Sequence, residues 1–123
     1  MRKLCLAIVL IFAPGFVAAQ EVTIAALGDS LTQGYGLEQA DGFVPQLATW
    51  LNKEGVTNVR LINAGVSGDT TAGGVARAAW TLTPDVDALI VTLGGNDLLR
   101  GLDPSVSRAN LTGIMEAAEA AGV

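Results

Sequence analysis

Three short apolar runs, each followed by a glycine-bearing turn, constrain the fold of this chain more than any other feature. The runs cover Val22–Leu27, Val59–Ile62 and Ala88–Leu93. Short β-branched or leucine-rich runs between turns are typical of strands that are buried on both faces, as in a parallel sheet. Segments with helical periodicity separate the runs, so the pattern predicts the element order βαβαβα.

The segments between and after the strands carry the signals of helix ends. Their apolar positions span Val44–Leu51, Ala72–Leu82 and Leu111–Ala118. Gly55 suits the end of the first helix, while Asp103 and Pro104 suit the cap and first residue of the third. We expect Gly122 to be the C-cap of that third helix. The whole pattern predicts a single α/β domain, in which helices cover both faces of a parallel sheet.

Each predicted strand ends in a polar, glycine-rich cluster. The clusters are Gly28–Gly34, Asn63–Thr70 and Gly94–Asp97. Because ligands of open parallel sheets bind beyond the carboxyl ends of the strands, we expect the three clusters to form one site. Ser30 would place a hydroxyl beside backbone N–H groups, Gly68 an N–H without an obstructing side chain, and Asn96 an amide donor. A serine with three such donors is what acyl transfer through a tetrahedral intermediate requires.

The same residues also have plainer interpretations. Ser30 can be a capping serine, Gly68 can serve a left-handed turn, and Asn96 can close a turn between strand and helix. Asp29 and Asp97 are expected to be scaffold carboxylates that hold turn N–H groups, because an unperturbed carboxylate is a poor acceptor for a serine proton. The presence of all three clusters in one chain favours the catalytic interpretation.

Together the three clusters resemble the blocks of the GDSL (SGNH) hydrolases, in particular the periplasmic acyl-CoA thioesterase, arylesterase and lysophospholipase subgroup. The matching stretches are Leu27–Tyr35, Asn63–Thr71 and Leu93–Gly101. The resemblance implies a flavodoxin-like three-layer α/β/α fold, with only the first three βα units present. It also implies hydrolysis of small-molecule esters, thioesters or lysophospholipids without metal or cofactor. In that reading Ser30 is the nucleophile and an oxyanion N–H donor, and the Gly68 N–H and Asn96 amide complete the oxyanion hole.

The chain departs from this family in the fourth block. That block is an Asp-x-x-His motif whose histidine is the general base, and this sequence contains no histidine. We therefore interpret residues 20–123 as the N-terminal portion of an SGNH hydrolase domain and expect the 123 residues alone to be catalytically inactive. The alternative is a non-catalytic periplasmic module that binds a ligand on its glycine-rich turns, or a degenerate esterase remnant.

Residues 1–19 have the order of a secretory signal peptide. Two basic residues precede the apolar run Leu4–Ala13, and small residues lead to a predicted cleavage after Ala19. Because the run is too short to span a bilayer as a helix, we expect a periplasmic or secreted protein without a stable membrane anchor. The single cysteine, Cys5, lies in this leader, which excludes disulfides from the mature part.

The charge of the mature part limits its expected partners. Without the two basic residues of the leader, five basic side chains stand against twelve acidic ones. Nucleic acids and anionic membranes require clusters of lysine and arginine, so neither is an expected partner. The lack of histidine argues against a histidine-based metal site. Arg100 is expected to be a solvated loop cation. Trp50 and Trp80 are expected to pack in the core or on the surface rather than to bind substrate.

Overall fold

The computed structural model describes residues 19–123. The predicted leader therefore lies outside the described residues, except for Ala19. The elements in chain order are β1 (Val22–Gly28), α1 (Ser30–Gln33), a 3₁₀ turn (Gln39–Asp41), α2 (Phe43–Lys53), β2 (Val59–Gly65), α3 (Thr71–Thr81), β3 (Ala88–Thr92), α4 (Gly95–Leu99) and α5 (Pro104–Ala120). The predicted βαβαβα order is confirmed, and the two short helices α1 and α4 are additions to it.

The three strands form one parallel sheet in the order β2-β1-β3. Gly28, at the carboxyl end of β1, is paired with Gly65 on one side and Thr92 on the other. The chain leaves β1 toward one side to make β2 and then passes back across it to make β3. This is the strand order of flavodoxin-like folds, whose ligands bind where the order reverses, at the carboxyl ends of the first and third strands.

Helices cover both faces of the sheet, as predicted. The main core lies between the sheet and the pair α3 and α5. Its buried members are Ala25, Leu27, Ala78, Leu82, Val86, Ile114 and Ala118. Since side chains alternate along a strand, Leu61 and Asn63 of β2 face the other way and line a cleft with Val44 and Pro45 of α2.

The second strand is longer than predicted. We expected it to end at Ile62, with Asn63 and Gly65 in the following loop, but β2 continues to Gly65. The reason is pairing with the central strand, because the register runs on from Ala26 and Asn63 to Gly28 and Gly65. Neighbouring β1 therefore holds an asparagine and a glycine in strand geometry that their own propensities disfavour.

The predicted start of α5 is confirmed, and its C-cap lies one residue before the predicted position. Asp103 caps the start by accepting the Ser105 N–H at 2.8 Å, and Pro104 is the first helical residue. At the other end the cap is Ala121 rather than Gly122, which lies one residue further on with φ of +76°. A helix that closes with a left-handed residue after its cap places glycine there, which explains the difference.

Two further features concern the surface of the protein. Trp50 and Trp80 lie on α2 and α3 as predicted, and their largely exposed side chains place them on the surface rather than in the core. Within residues 19–123, no helix is both long enough and apolar enough to cross a membrane.

Candidate active site

The carboxyl end of β1 leads directly into the turn that carries Ser30. Asp29 is the N-cap of α1, and its Oδ1 accepts the Leu31 N–H at 3.0 Å. Ser30 is the half-buried first residue of α1, and its carbonyl accepts the Gly34 N–H at 3.0 Å. These bonds use the Asp29 carboxylate and backbone groups, so the turn is held in place without the Ser30 hydroxyl.

Gly68 lies in the turn between β2 and α3. Its φ of +81° is in the left-handed region, which other L-residues rarely adopt. The Asp69 N–H closes the turn on the Val66 carbonyl at 3.1 Å, and the Val66 N–H donates to the Gly28 carbonyl at 3.0 Å. The left-handed turn considered for Gly68 is therefore confirmed, and the turn is attached to the carboxyl end of β1.

Asn96 lies in α4, just after β3, and its side-chain amide nitrogen contacts both of the other turns. Nδ2 donates to the Asp69 carbonyl oxygen at 2.8 Å and lies 3.5 Å from Asp29 Oδ2. Because both neighbours are acceptors, this atom is the amide nitrogen and not the amide oxygen. One N–H is firmly held, whereas the contact with Asp29 is at the upper limit of a hydrogen bond. The structure thus brings the turns of Ser30, Gly68 and Asn96 together at one rim of the sheet, beyond the carboxyl ends of its strands.

Asp97 is almost fully buried and holds the start of α3. Its carboxylate accepts the Thr71 N–H at 2.8 Å, the Thr71 hydroxyl at 2.5 Å and the Ser107 hydroxyl at 3.0 Å. Burial raises the pKa of Asp97, but the hydrogen bonds from Thr71 and Ser107 outweigh burial and hold this pKa below its ordinary value. The scaffold role expected of Asp97 is confirmed, as is that of Asp29.

Sequence analysis missed Arg77, which joins three segments of the site. From α3, its guanidinium donates to the Gly28 carbonyl at 2.8 Å, the Ala64 carbonyl at 2.7 Å and Asp69 Oδ2 at 2.7 Å. The available signal was that Arg77 is the one charged residue of α3, a helix made otherwise of small and apolar residues and threonine. Because arginine is rarely withdrawn from water unless it is paired, a single arginine in a helix of small and apolar residues indicates a specific acceptor.

Arg100 is exposed, as expected of a loop cation, but it is also engaged. Its Nη2 donates to the Gly68 carbonyl at 2.8 Å, which connects the turn after β3 with the turn after β2. The expectation of simple solvation was therefore incomplete. Among residues 19–123, no group of three or more cysteine, histidine, aspartate and glutamate side chains is placed to hold a metal ion.

Comparison with known proteins identifies the family of the chain. The sequence profile of the GDSL-like Lipase/Acylhydrolase family matches residues 26–123. The chain belongs to this family. The expected resemblance is thereby confirmed, and with it the α/β fold of the SGNH hydrolases.

Two relatives and one solved structure of the family are similar to this GDSL chain over most of its length. Esterase TesA of Pseudomonas aeruginosa is 42% identical over 119 residues, which cover 96% of this chain and 57% of TesA. Thioesterase 1/protease 1/lysophospholipase L1 of Escherichia coli K12 is 36% identical over 107 residues, covering 86% of this chain and 50% of that protein. The crystal structure of AlinE4, an SGNH-hydrolase family esterase, has a TM-score of 0.77 at 48% identity and covers 83% of this chain and 55% of AlinE4. The GDSL chain thus spans about half the length of the curated relatives it matches.

Proposed function

We propose that this GDSL-family chain is the nucleophile-bearing part of a serine esterase that hydrolyses carboxylic ester and thioester bonds. The observation that carries the proposal is the contact of three turns at one rim, made through the Asn96 amide to Asp69 and Asp29. The names of its relatives, an esterase and a thioesterase and lysophospholipase, support the substrate class.

In the proposed mechanism Ser30 is the nucleophile. Its Oγ attacks the carbonyl carbon of the ester, and its proton passes to a general base. The oxyanion that forms is stabilised by the Ser30 N–H, the Gly68 N–H and the Asn96 amide. Collapse of the tetrahedral intermediate expels the alcohol or thiol, and water then removes the acyl group from Ser30.

The two unequal contacts of the Asn96 amide support its role as an oxyanion donor. The 2.8 Å bond to the Asp69 carbonyl sets the plane of the amide before substrate arrives. The second N–H, directed toward Asp29, is only weakly engaged at 3.5 Å, so it is available to a substrate oxygen at little cost. A donor whose orientation is already set stabilises the transition state without further reorganisation.

The general base implied by the family resemblance is not among these 123 residues, because the sequence contains no histidine. Asp97 is a poor substitute, since its carboxylate already accepts three hydrogen bonds and its pKa lies below the ordinary value. We therefore propose that a histidine from sequence outside these residues serves Ser30. The 123 residues alone are then expected not to turn over esters.

The same absence of histidine favours one second candidate. In it the rim binds an ester or anion on its glycine-rich turns without chemistry, as a non-catalytic module or a degenerate esterase. Such a protein would bind a substrate analogue while Ser30 remained unreactive. Measurements of binding and of reaction therefore separate the two candidates.

The decisive experiment is to sequence the gene through and beyond codon 123 and to express its product. With an Asp-x-x-His block in frame, the product is expected to hydrolyse p-nitrophenyl esters and to be labelled by a fluorophosphonate. Ser30→Ala should abolish labelling and lower the rate by up to about a million-fold. Ser105→Ala, an exposed serine at the start of α5, is the matched control and should leave both unchanged.

Two outcomes contradict parts of this proposal. Ser30-dependent hydrolysis by the 123 residues alone would show that they do not need an outside histidine. A histidine-bearing product that binds a substrate analogue but neither hydrolyses esters nor reacts with the fluorophosphonate would support the non-catalytic module.

We also propose that the protein is exported to the periplasm or beyond. This part rests on the charged, apolar and small-residue order of residues 1–19. Cell fractionation followed by mass determination tests it, and a mature chain that begins near Gln20 is the expected result. Recovery in the cytosol with the leader intact would contradict export.

A further inference from the structure

We propose that Arg77 is a positioning residue for the oxyanion hole. It holds Asp69 in place, and through Asp69 it sets the Gly68 turn and the Asn96 amide. This inference rests on the proposed esterase function, but it concerns a residue outside the three turns of the site. Arg77 lies in the middle of α3, and its guanidinium contacts Asp69 and the carboxyl ends of β1 and β2.

The three hydrogen bonds of Arg77 reach two backbone carbonyls and one carboxylate, in three different segments of the chain. They go to the last residue of β1, to the next-to-last residue of β2, and to Asp69 in the turn that follows, at 2.7 to 2.8 Å. The side chains of Arg77 and Asp69 are only 23% and 15% exposed. A planar guanidinium can serve three acceptors at once, whereas a lysine ammonium is a compact charge on a flexible stem. Arginine is therefore specifically suited to this position.

Asp69 is held by its side chain and by both of its backbone groups. Its carboxylate accepts from Arg77 at 2.7 Å, its N–H donates to the Val66 carbonyl at 3.1 Å, and its carbonyl accepts from Asn96 at 2.8 Å. Asp69 also follows Gly68 directly in the chain. One residue therefore determines the positions of two of the three proposed oxyanion donors.

The helix that carries Arg77 is shaped to receive Asp69. A Cβ added to Gly73, in the first turn of α3, would collide with the Asp69 carboxylate. Glycine at this position allows the carboxylate to lie against the helix, where it meets Arg77 eight residues further along the chain. The position of Asp69 thus depends on α3 at two points, one steric and one electrostatic.

Loss of Arg77 should release Asp69 and misalign the donors. Interactions made mainly in the transition state affect kcat, whereas substrate binding in the ground state affects KM. Because a displacement of about 1 Å can cost roughly 100-fold in rate, the effect of losing Arg77 should fall on kcat. A purely structural role would instead lower the amount of folded protein and leave kcat per folded molecule unchanged.

The test compares Arg77→Met, Arg77→Lys and the control Arg60→Met in the protein expressed from its complete gene. Arg60 forms two ion pairs, with Glu21 and Asp85, near the amino end of β2, so its loss removes equal charge far from the site. We expect Arg77→Met to lower kcat by about 10- to 100-fold while KM changes by less than about 3-fold. Arg77→Lys should recover part of the loss, and Arg60→Met should match the wild type.

A folded Arg77→Met protein with wild-type kcat would overturn the proposal. Should Arg77→Met fail to fold, Asp69→Asn decides, since it removes the charged acceptor but keeps the carbonyl that binds Asn96. It is expected to lower kcat in the same way, and an unchanged kcat would overturn the proposal.

A readout without turnover separates this inference from the proposed function. In NMR spectra, the Asn96 side-chain amide and the Gly68 amide should shift in Arg77→Lys and stay in place in Arg60→Met. If Arg77→Lys shifts these signals but the wild-type protein hydrolyses no ester, the esterase proposal fails while the positioning role of Arg77 stands. Signals that do not move overturn the positioning role.

Discussion

The two ends of the parallel sheet carry the same kinds of side chains but surround them differently. At the amino end, Arg60 pairs with Glu21 and Asp85, and these side chains are 44%, 67% and 57% exposed. At the carboxyl end, Arg77 pairs with Asp69, and the exposed fractions fall to 23% and 15%. The same kind of ion pair, between arginine and a carboxylate, is therefore solvated at one end of the sheet and largely withdrawn from water at the other.

The contrast in exposure shows which polar groups the fold depends on. An exposed ion pair replaces favourable contacts of each charge with water, so it contributes little to the free energy of unfolding. Withdrawn groups must find partners inside the protein, and leaving one unpaired is expensive. The carboxyl end therefore has a geometry that is set before any ligand arrives, which is the property an oxyanion hole requires.

The largest expected difference between the two ends is catalytic. Asn96 and Asn58 both donate a side-chain N–H to a backbone carbonyl, at 2.8 Å to Asp69 and at 3.0 Å to Gln20. In the product of the complete gene, Asn96→Ala is expected to lower kcat by about 100- to 1,000-fold, as for the loss of one oxyanion donor. Asn58→Ala, at the amino end, should leave kcat unchanged. Equal kcat values in steady-state assays of the two variants would remove Asn96 from the oxyanion hole.

The next difference is one of stability. Asp97 and Asp85 each accept a threonine hydroxyl, from Thr71 at 2.5 Å and from Thr83 at 2.6 Å. Asp97→Ala leaves the buried N–H and hydroxyl of Thr71 without an acceptor, and we expect it to lower the free energy of unfolding by about 3 kcal/mol. Asp85→Ala should change it by only a small fraction of that amount, because water replaces the lost partner.

Urea denaturation followed by circular dichroism measures both variants under one set of conditions. The comparison needs equal denaturant slopes, so that midpoints report stability alone. Similar losses in Asp97→Ala and Asp85→Ala would show that burial does not distinguish the two carboxylates.

The smallest expected difference concerns the loss of stability at low pH. Hydrogen bonds from Thr71 and Ser107 more than offset the burial that raises the pKa of Asp97, so its folded pKa lies below the unfolded value of about 3.9. The folded state then binds fewer protons, so Asp97 stabilises the fold above about pH 4, and this contribution is lost as the pH falls through the folded pKa. In Asp97→Asn, the free energy of unfolding should therefore fall less steeply as the pH is lowered below about 4.

Salt sharpens this last comparison. Hydrogen bonds from Thr83 and Arg60 lower the pKa of Asp85 as well, but that group is exposed. Raising the ionic strength should weaken the part of the acid-side contribution of Asp85 that comes from Arg60 and leave that of Asp97 nearly intact. Thermal melts at two salt concentrations test this, and an equal salt response of Asp97→Asn and Asp85→Asn would contradict it.

Particular elements show how far sequence-based prediction reached. The three strands and the helices α2, α3 and α5 follow from local patterns, because apolar periodicity and capping residues act over a few neighbouring positions. The meeting of the three clusters at one rim follows from the topology of parallel sheets. The end of β2 at Gly65 does not follow, since pairing with β1 overrides the weak strand propensity of its last residues.

The order of the elements, the parallel sheet and the three turns that carry Ser30, Gly68 and Asn96 all follow from local sequence patterns. Which groups bind one another in those turns depends on the packing of the whole domain. The contact of Arg77 with Gly28 joins residues 49 positions apart, and that of Asn96 with Asp29 joins residues 67 apart. Local propensity carries no information over such separations, because these partners meet only when the packed sheet and helices bring them together and exclude water from between them.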